Sequence, residues 1–504
     1  MRQQVQEHAP QSSENPRNLD RLIRDCMVVL TPALVLYCFA LLRLQLLEDG
    51  DSGWHIAAGK WMIAQRDVPH VDILSYSAKG QPWVAHEWLA DVVMGAAHSL
   101  AGWTGVLIFY GLVVAAFMGV VASYLRRWLE PGAVAAIVIA LMLALYPFLL
   151  ARPHVTAWPV MAAWVVLLLR AREEERLPPW WSVLLITLWA NLHGSFVLGI
   201  GLIGPFAAEA LFAAAPARRL AVFRQWTLFG IAAVLAAAAT PYGIHGLLFP
   251  FQLNAMPTLA LIDEWKPTSF AEIKPFEMVF LAGLGACLWL GVKVPAWRLA
   301  IILLLLHMAL AHVRHQTVFV IITALILAAP LAAALGNDRP RFALRPALSG
   351  TKRDLAPLFA ILLLLALGTT GWRLANPARP LDSATVPTTA VEQLPAELKA
   401  KRVFNDYSFG GSLALIGIPV YIDGRADMYG DAAMRHYRDL VTAPSAAKWQ
   451  PVVDRWGIEW TILSPQTPLT RFLDSQPGWR RVYADDWAVI HVRENGPPVT
   501  ATER

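Results

Sequence analysis

Apolar residues run in long blocks separated by short polar stretches. The blocks lie near 27–47, 104–125, 133–150, 155–170, 179–192, 195–214, 225–241, 276–293, 298–312, 316–335 and 355–373. Blocks of this kind predict helices that cross a bilayer, where each backbone N–H and C=O must be paired within its own segment. The pattern therefore predicts an α-helical polytopic membrane protein with about eleven transmembrane helices, several of them short. Block 179–214 is broken by Asn191-Leu192-His193-Gly194-Ser195, which predicts a tight hairpin. Residues 48–103 form a long loop with two amphipathic stretches, 53–65 and 84–99, expected at the membrane surface. Beyond residue 375 the pattern becomes that of a soluble α/β domain. Val403-Phe404, Pro419–Ile422, Trp460–Leu463 and Trp487–Val492 predict strands, and 431–442, 445–456 and 467–475 predict helices. The expected organisation is a cytoplasmic tail over 1–24, a membrane domain over 25–375 and an extracytoplasmic α/β domain over 376–504.

Composition agrees with this map. Only 16% of the 504 residues are charged, against about a quarter in soluble proteins, and this excludes an ordinary water-soluble enzyme. The net charge of +5 is not a nucleic-acid signal, because the basic residues sit in alternate loops. Arg126 and Arg127; Arg170, Arg172 and Arg176; Arg218, Arg219 and Arg224; Lys293 and Arg298; and Arg339, Arg341, Arg345, Lys352 and Arg353 mark one side. Arg17, Arg21 and Arg24 precede the first block on that same side. The positive-inside rule makes it cytoplasmic and places the C-terminal domain on the outer side, which is the periplasm if the source is Gram-negative, the chain then spanning the inner membrane. Cys26, Cys38 and Cys287 all lie in apolar blocks and suggest neither a disulfide framework nor a zinc site.

Polar groups with possible chemistry gather on the opposite side. Asp49 and Asp51 follow the first block, with Glu48 before them and His55 after. Carboxylates crowded at a membrane boundary repel unless a cation, a proton or a substrate group balances them. One of them is a candidate general base for an acceptor hydroxyl, or a ligand for a divalent metal such as Mg or Mn; a solvated loop end with helix-capping aspartates is the plainer alternative. His86 and Glu87 open the second amphipathic stretch between Trp83 and Trp88. Asp263 and Glu264 either complete an acidic site or cap a surface helix. Arg152, His154, His193, Arg314 and His315 form a basic group suited to an anionic phosphate, against which stands snorkelling to lipid headgroups. In the α/β domain, Asn405, Asp406 and Tyr407, then Asp423, Arg425 and Asp427, follow short apolar strands, where binding loops form. A buried Asp423–Arg425 pair is the structural alternative.

These residues resemble a known group. The segment Asp49-x-Asp51-x-x-Trp54-His55-Ile56-x-x-Gly59, followed by Val68-Pro69-x-x-Asp72, resembles the entry to the first outer loop of the GT-C superfamily of membrane glycosyltransferases. That superfamily includes protein mannosyltransferases, lipid A aminoarabinose transferases and oligosaccharyltransferases. Pro82 to Leu89 is similar to the second surface helix of that loop, and Ala190 to Gly194, Asp263-Glu264-Trp265, Asn405-Asp406-Tyr407 and Ile422 to Arg425 are similar to motifs of an uncharacterised bacterial branch. The Trp-Trp-Asp-x-Gly motif of oligosaccharyltransferases is absent, as is the Lys-Pro-Pro motif of the aminoarabinose transferases. The resemblance implies transfer of a sugar, with inversion, from a polyprenyl-phosphate donor to a glycan, lipid or protein acceptor, Asp51 or Asp49 acting as base. A transporter or flippase of a lipid-linked glycan, and a non-catalytic envelope polysaccharide assembly protein, are the competing readings.

Overall fold

The computed structural model describes residues 16–337 and 356–494. Arg339, Arg341, Arg345, Lys352 and Arg353 lie outside the described residues, as do the side chains of Arg17, Arg21, Arg24 and Cys26. The membrane portion contains α1 (Pro16–Leu42), α2 (Ser52–Gln65), α3 (Trp88–Trp128), α4 (Pro131–Leu145), α5 (Pro153–Glu173), α6 (Val183–Leu192), α7 (Phe196–Ala213), α8 (Arg219–Ala237), α9 (Ile244–Asn254), α10 (Pro275–Trp289), α11 (Ala296–Ala311), α12 (Gln316–Ala334) and α13 (Ala356–Ala375). Prolines open α4, α5 and α10 at a position where no backbone N–H is needed. Among the described residues, six helical stretches are long and apolar enough to cross a membrane, and five shorter apolar helices accompany them. Each predicted apolar block falls on one of these. Large apolar side chains stand exposed along α8, α10, α11 and α13, among them Leu220, Leu235, Leu288, Trp289, Leu304 and Leu364. Faces of that extent are stable against lipid and not against water. The protein is a multi-pass membrane protein.

Helix α3 starts within the stretch 84–99, at Trp88, and its first part is a helical segment distinct from the part inside the bundle. It is divided by a kink at Ala101–Gly102, where Gly102 takes φ +57°, a backbone region that suits glycine. The helix α2 is covered by the rest of the protein. Trp54, His55, Ile56, Ala58 and Met62 are buried, because glycines let it sink between neighbours. A Cβ on Gly59 would lie 1.8 Å from the Asp91 carbonyl oxygen, and one on Gly53 would lie 2.2 Å from that of Gly411.

The α/β portion follows with α14 (Thr388–Glu392), α15 (Ala396–Lys399), β1 (Val403–Asn405), α16 (Gly410–Leu415), α17 (Ala426–Thr442), α18 (Ala446–Trp456), β2 (Trp460–Leu463), α19 (Pro468–Asp474), β3 (Trp479–Ala484) and β4 (Val489–Arg493). The sheet order is β1-β2-β4-β3, with β1 parallel to β2 and the other pairs antiparallel. Residues 419–422 are not a strand of this sheet. Val420 pairs instead with the first loop, donating to the Leu74 carbonyl (3.2 Å) and accepting from the Tyr76 N–H (3.1 Å). The hydrophobic core is shared in the same way. Trp54, Met62 and Trp83 of the first loop pack with Phe409, Leu413, Val420, Trp460 and Ile490. The first loop and the α/β portion thus form one layer over one end of the bundle.

That layer depends on close backbone contact at Gly50, Gly53 and Gly411. Replacing Gly53 by valine is expected to lower stability by at least about 1–3 kcal/mol, the usual range for overpacking. A reduced thermal unfolding midpoint in detergent checks this.

Candidate functional site

Between the bundle and this layer lies a cavity of about 1390 Å³. Apolar residues of the bundle, including Trp158, Met161, Leu198, Phe276 and Met308, line one part of it. The polar residues gather at the other: Asp49, Asp51, His55, His86, Glu87, Arg152, His154, His193, Asp263, Glu264, Arg314, His315, Tyr407 and Asp427 all reach the lining. A small-molecule site of this kind couples apolar walls to a few convergent polar groups.

Arg152 is the centre of the acidic half. It immediately precedes Pro153 at the start of α5, and the chain there is bound to the first loop by Ala151 N–H to Leu46 C=O and by Ser52 Oγ to Ala151 C=O, both 2.8 Å. Its guanidinium bonds directly to Asp51 and to Glu264, and its Nε lies 3.5 Å from Asp49 Oδ2. Asp49 Oδ1 also accepts the Asp51 N–H at 2.8 Å. Burial pushes the Asp49 carboxyl up to about 7, Asp51 and Glu264 adding to the shift and Arg152 opposing it. Burial also raises Asp51, again against Arg152. Glu264 is different: burial alone would raise it, but Arg152 and Arg314 bring it down to about 2. For Arg152, burial favours the neutral form and is outweighed by Asp49, Glu264, Asp51 and Glu87, so the guanidinium stays charged.

Glu87 is the centre of a second group. Its carboxylate faces three imidazoles: His55 Nε2 at 3.9 Å, His86 Nε2 at 3.6 Å and His193 Nε2 at 3.5 Å. Burial raises it to about 7, against Arg152 and Arg314. Burial lowers His55, His86 and His193, so these rings are neutral. The α6–α7 hairpin is as expected, and its tip brings His193 here; Asn191 accepts from Trp88 Nε1 at 2.6 Å and fixes the tip to the start of α3. Asp91 joins this group, its Oδ1 2.6 Å from His55 Nδ1. Sequence reasoning missed Asp91. Its signal is its place one helical turn after Glu87, on the same face of α3.

The third group surrounds Arg314. Among the described residues Arg314 has no carboxylate partner within 4 Å and lies over the Trp265 ring, 4.4 Å from its centroid. Trp265 and Lys266 are docked by backbone bonds, the Trp265 carbonyl to His312 Nδ1 (2.7 Å) and the Lys266 carbonyl to the Val313 N–H (3.0 Å). His154 and His315 reach the lining but each has a ring nitrogen on a backbone carbonyl, of Phe148 (2.9 Å) and Met308 (3.3 Å). Asp263 pairs with Lys266 and is exposed.

Several α/β residues expected to bind ligand are structural. Asn405 is fully buried and holds the 421–422 backbone, its Nδ2 donating to the Ile422 carbonyl (2.7 Å) and its Oδ1 accepting the Tyr421 N–H (2.9 Å). Asp406 caps the short turn after it. Asp423 and Arg425 are 0% and 1% exposed and form a bidentate pair. Asp72 of the first loop completes that pair, 2.8 Å from Arg425 Nη1, and the guanidinium stacks on Trp83. These three charges are a clamp between loop and domain, not a binding surface. Helix α9, which sequence reasoning also missed, adds Phe249, Pro250 and Phe251 to the lining; at 11 residues with an internal proline it gives no span signal.

Among the described residues no group of three His, Cys, Asp or Glu side chains is disposed to hold a metal ion. Asp49, Asp51 and Glu264 converge on the Arg152 guanidinium, which occupies the position a cation would take among them.

The chain matches no protein-family model and no curated protein. Its fold has counterparts among solved structures. It is similar to the oligosaccharyltransferase of Archaeoglobus fulgidus in the apo form, at TM-score 0.53 and 13% identity, over 86% of this chain and 69% of that one. It is also similar to ArnT from Cupriavidus metallidurans bound to undecaprenyl phosphate, at TM-score 0.51 and 15% identity, over 97% of this chain and 100% of that one. The chain has the GT-C fold.

Replacing Arg425 by methionine leaves Asp72 and Asp423 buried without their cation. The expected cost is about 3–5 kcal/mol, as for other broken buried ion pairs. Thermal denaturation of the purified protein measures it.

Proposed function

We propose that this protein is a membrane glycosyltransferase that moves a sugar from a polyprenyl-phosphate donor to an acceptor hydroxyl on the extracytoplasmic side of a bacterial inner membrane. The observation that carries this reading is the cavity itself: apolar bundle walls at one part, carboxylates and arginines at the other, in a GT-C fold. A lipid-phosphate donor has the same division of character. Its tail fits the walls. Its phosphate fits Arg314, a cation that no carboxylate among the described residues holds, with His193 and His154 nearby.

In this reading Asp49 is the base. The acceptor O–H gives its proton to the Asp49 carboxylate. The oxygen's electron pair forms the new bond to the anomeric carbon from the face opposite the phosphate. The carbon–oxygen bond to phosphate breaks, and its electrons leave on the phosphate oxygen. The anomeric centre inverts. A carboxyl near 7 is well matched to proton transfer at neutral pH. Asp51, bound directly to Arg152, orients the guanidinium so that Asp49 keeps an oxygen for the acceptor. The acceptor class (glycan, lipid or protein) enters between Asp49 and the α/β layer, where Tyr407 and Asp427 stand.

Purified protein in lipid nanodiscs, given polyprenyl-phosphate sugars and candidate acceptors, is expected to form a new glycosidic bond. Asp49→Asn should lower kcat about 10²–10⁴-fold, the usual contribution of a positioned base, and Arg314→Ala should raise the donor KM. Full transfer by Asp49→Asn would overturn the base assignment. Uptake of a lipid-linked glycan into sealed vesicles without bond formation would favour a flippase. Transfer that persists in a chelator would agree with Arg152 standing in the cation position.

The pH dependence has a definite sign. Asp49 must be ionised to act, so kcat should rise with pH through about 7 and then level. Stability should move oppositely. A carboxyl raised from 3.8 to about 7 binds its proton more tightly folded than unfolded, so stability falls as pH rises through that window. Opposed slopes of kcat and of the unfolding midpoint between about pH 4 and 7 are the expected result.

A further inference from the structure

Glu87 differs from the first-loop aspartates in what its carboxylate meets. Asp49 and Asp51 face a permanent cation, Arg152. Glu87 faces imidazoles, groups that can take or give a proton, within 3.5–3.9 Å. One of them, His55, is bound on its far nitrogen to Asp91 at 2.6 Å, and both are almost wholly buried, at 2% and 1% exposure. The helix positions explain the arrangement. Glu87 and Asp91 are one turn apart on α3, and His55 of α2 is brought against them because Gly59 lies on the Asp91 backbone. The other groups acting on Glu87 are Arg152 and Arg314, which favour its ionisation, and Asp51 and Glu264, which oppose it.

We propose that Glu87, held by the His55–Asp91 pair, is the second station of a proton relay that takes the acceptor's proton away from the reacting centre. This rests on the glycosyl-transfer reading. Asp91 accepts the His55 Nδ1–H and so fixes the tautomer with a free lone pair on Nε2. The proton released by the acceptor passes from Asp49 through cavity water to the Glu87 carboxylate. There it stays, the Glu87 O–H turned toward the His55 Nε2 lone pair while the ring remains neutral. No charge is created or lost: the acceptor has lost one proton, Glu87 has gained it, and the leaving phosphate carries the electrons of the broken bond. The relay resets when the proton leaves Glu87 for the departing phosphate or for cavity water. His193, on the opposite side of Glu87 and 2.7 Å from Ser195 Oγ, is the exit toward the phosphate side. Glu87 acts on the acceptor through Asp49, and His55 and Asp91 position it.

The test is pH-difference infrared spectroscopy of carboxyl groups on full-length protein in nanodiscs, with donor-dependent transfer rates measured in parallel. A protonated-carboxyl band is expected to titrate near neutral pH, to vanish in Glu87→Gln, and to move to lower pH in Asp91→Asn, where His55 loses the acceptor that keeps its Nε2 lone pair free for the Glu87 O–H. In Asp91→Asn, kcat is expected to fall at least tenfold with donor KM unchanged. If Asp91→Asn does not fold, His55→Gln is read in its place, with the same loss of kcat. A band unaffected by Glu87→Gln, or a midpoint identical in wild type and Asp91→Asn, overturns the relay. Absence of transfer by wild type with the expected titrations intact would instead overturn the glycosyl-transfer reading.

Discussion

One guanidinium draws together three parts of the chain that lie far apart in sequence. Arg152 stands at the mouth of α5 and binds Asp49 and Asp51 from the first loop and Glu264 from the segment before α10. Without it, three carboxylates would share a partly dry roof, and each would have to take a proton or move to water. With it, the first loop, the 255–274 segment and the start of α5 close on the same point, and the cavity acquires a lid of fixed polarity. An ion pair of this kind is weak support for stability in general, because desolvation offsets attraction. Its value here is specificity of arrangement: only one geometry satisfies three carboxylates with one cation.

The roof also needs backbone contact that side chains would prevent. Gly50, Gly53 and Gly411 bring α2 and α16 within a peptide's thickness of each other, and a Cβ on Gly424 would overlap the Asp51 carboxylate. The Asp72–Arg425–Asp423 clamp then fixes the other edge of the loop to the domain. The two devices divide the work. Glycines set the distance between loop and domain, and buried charges set the register.

Much of this was legible in the sequence, and the unreadable part has a common cause. Apolar blocks are local signals, so each predicted block has its helix, and the interruption at Asn191–Ser195 marks the hairpin. Clusters within a few residues were legible too, as with Asp49 and Asp51 or His86 and Glu87. Pairings across 100 residues or more were not. Nothing local says that Arg152 meets carboxylates before it meets phosphate, that Val420 pairs with Leu74 and Tyr76, or that Arg425 is clamped by Asp72. The covering of 53–65 is of the same kind: nothing local says which backbone α2 touches, and its glycines are contacts. Strand β3 was missed because its alternation is weak, with Arg480 and Arg481 adjacent and a bulge before Tyr483.

The charge inventory of the roof constrains what can happen when an anionic ligand arrives. Asp49, Asp51, Glu87 and Glu264 supply four carboxyls, and Arg152 and Arg314 supply two permanent cations. Asp49 and Glu87, both raised to about 7, are divided between acid and carboxylate near neutral pH. A phosphate entering beside Arg314 adds negative charge to the same enclosure and raises the proton affinity of both. The carboxylate form of each is then the stronger base for the acceptor's proton. The roof therefore couples ligand charge to proton affinity, a coupling produced by burying carboxyls in excess of cations and not by any one residue alone.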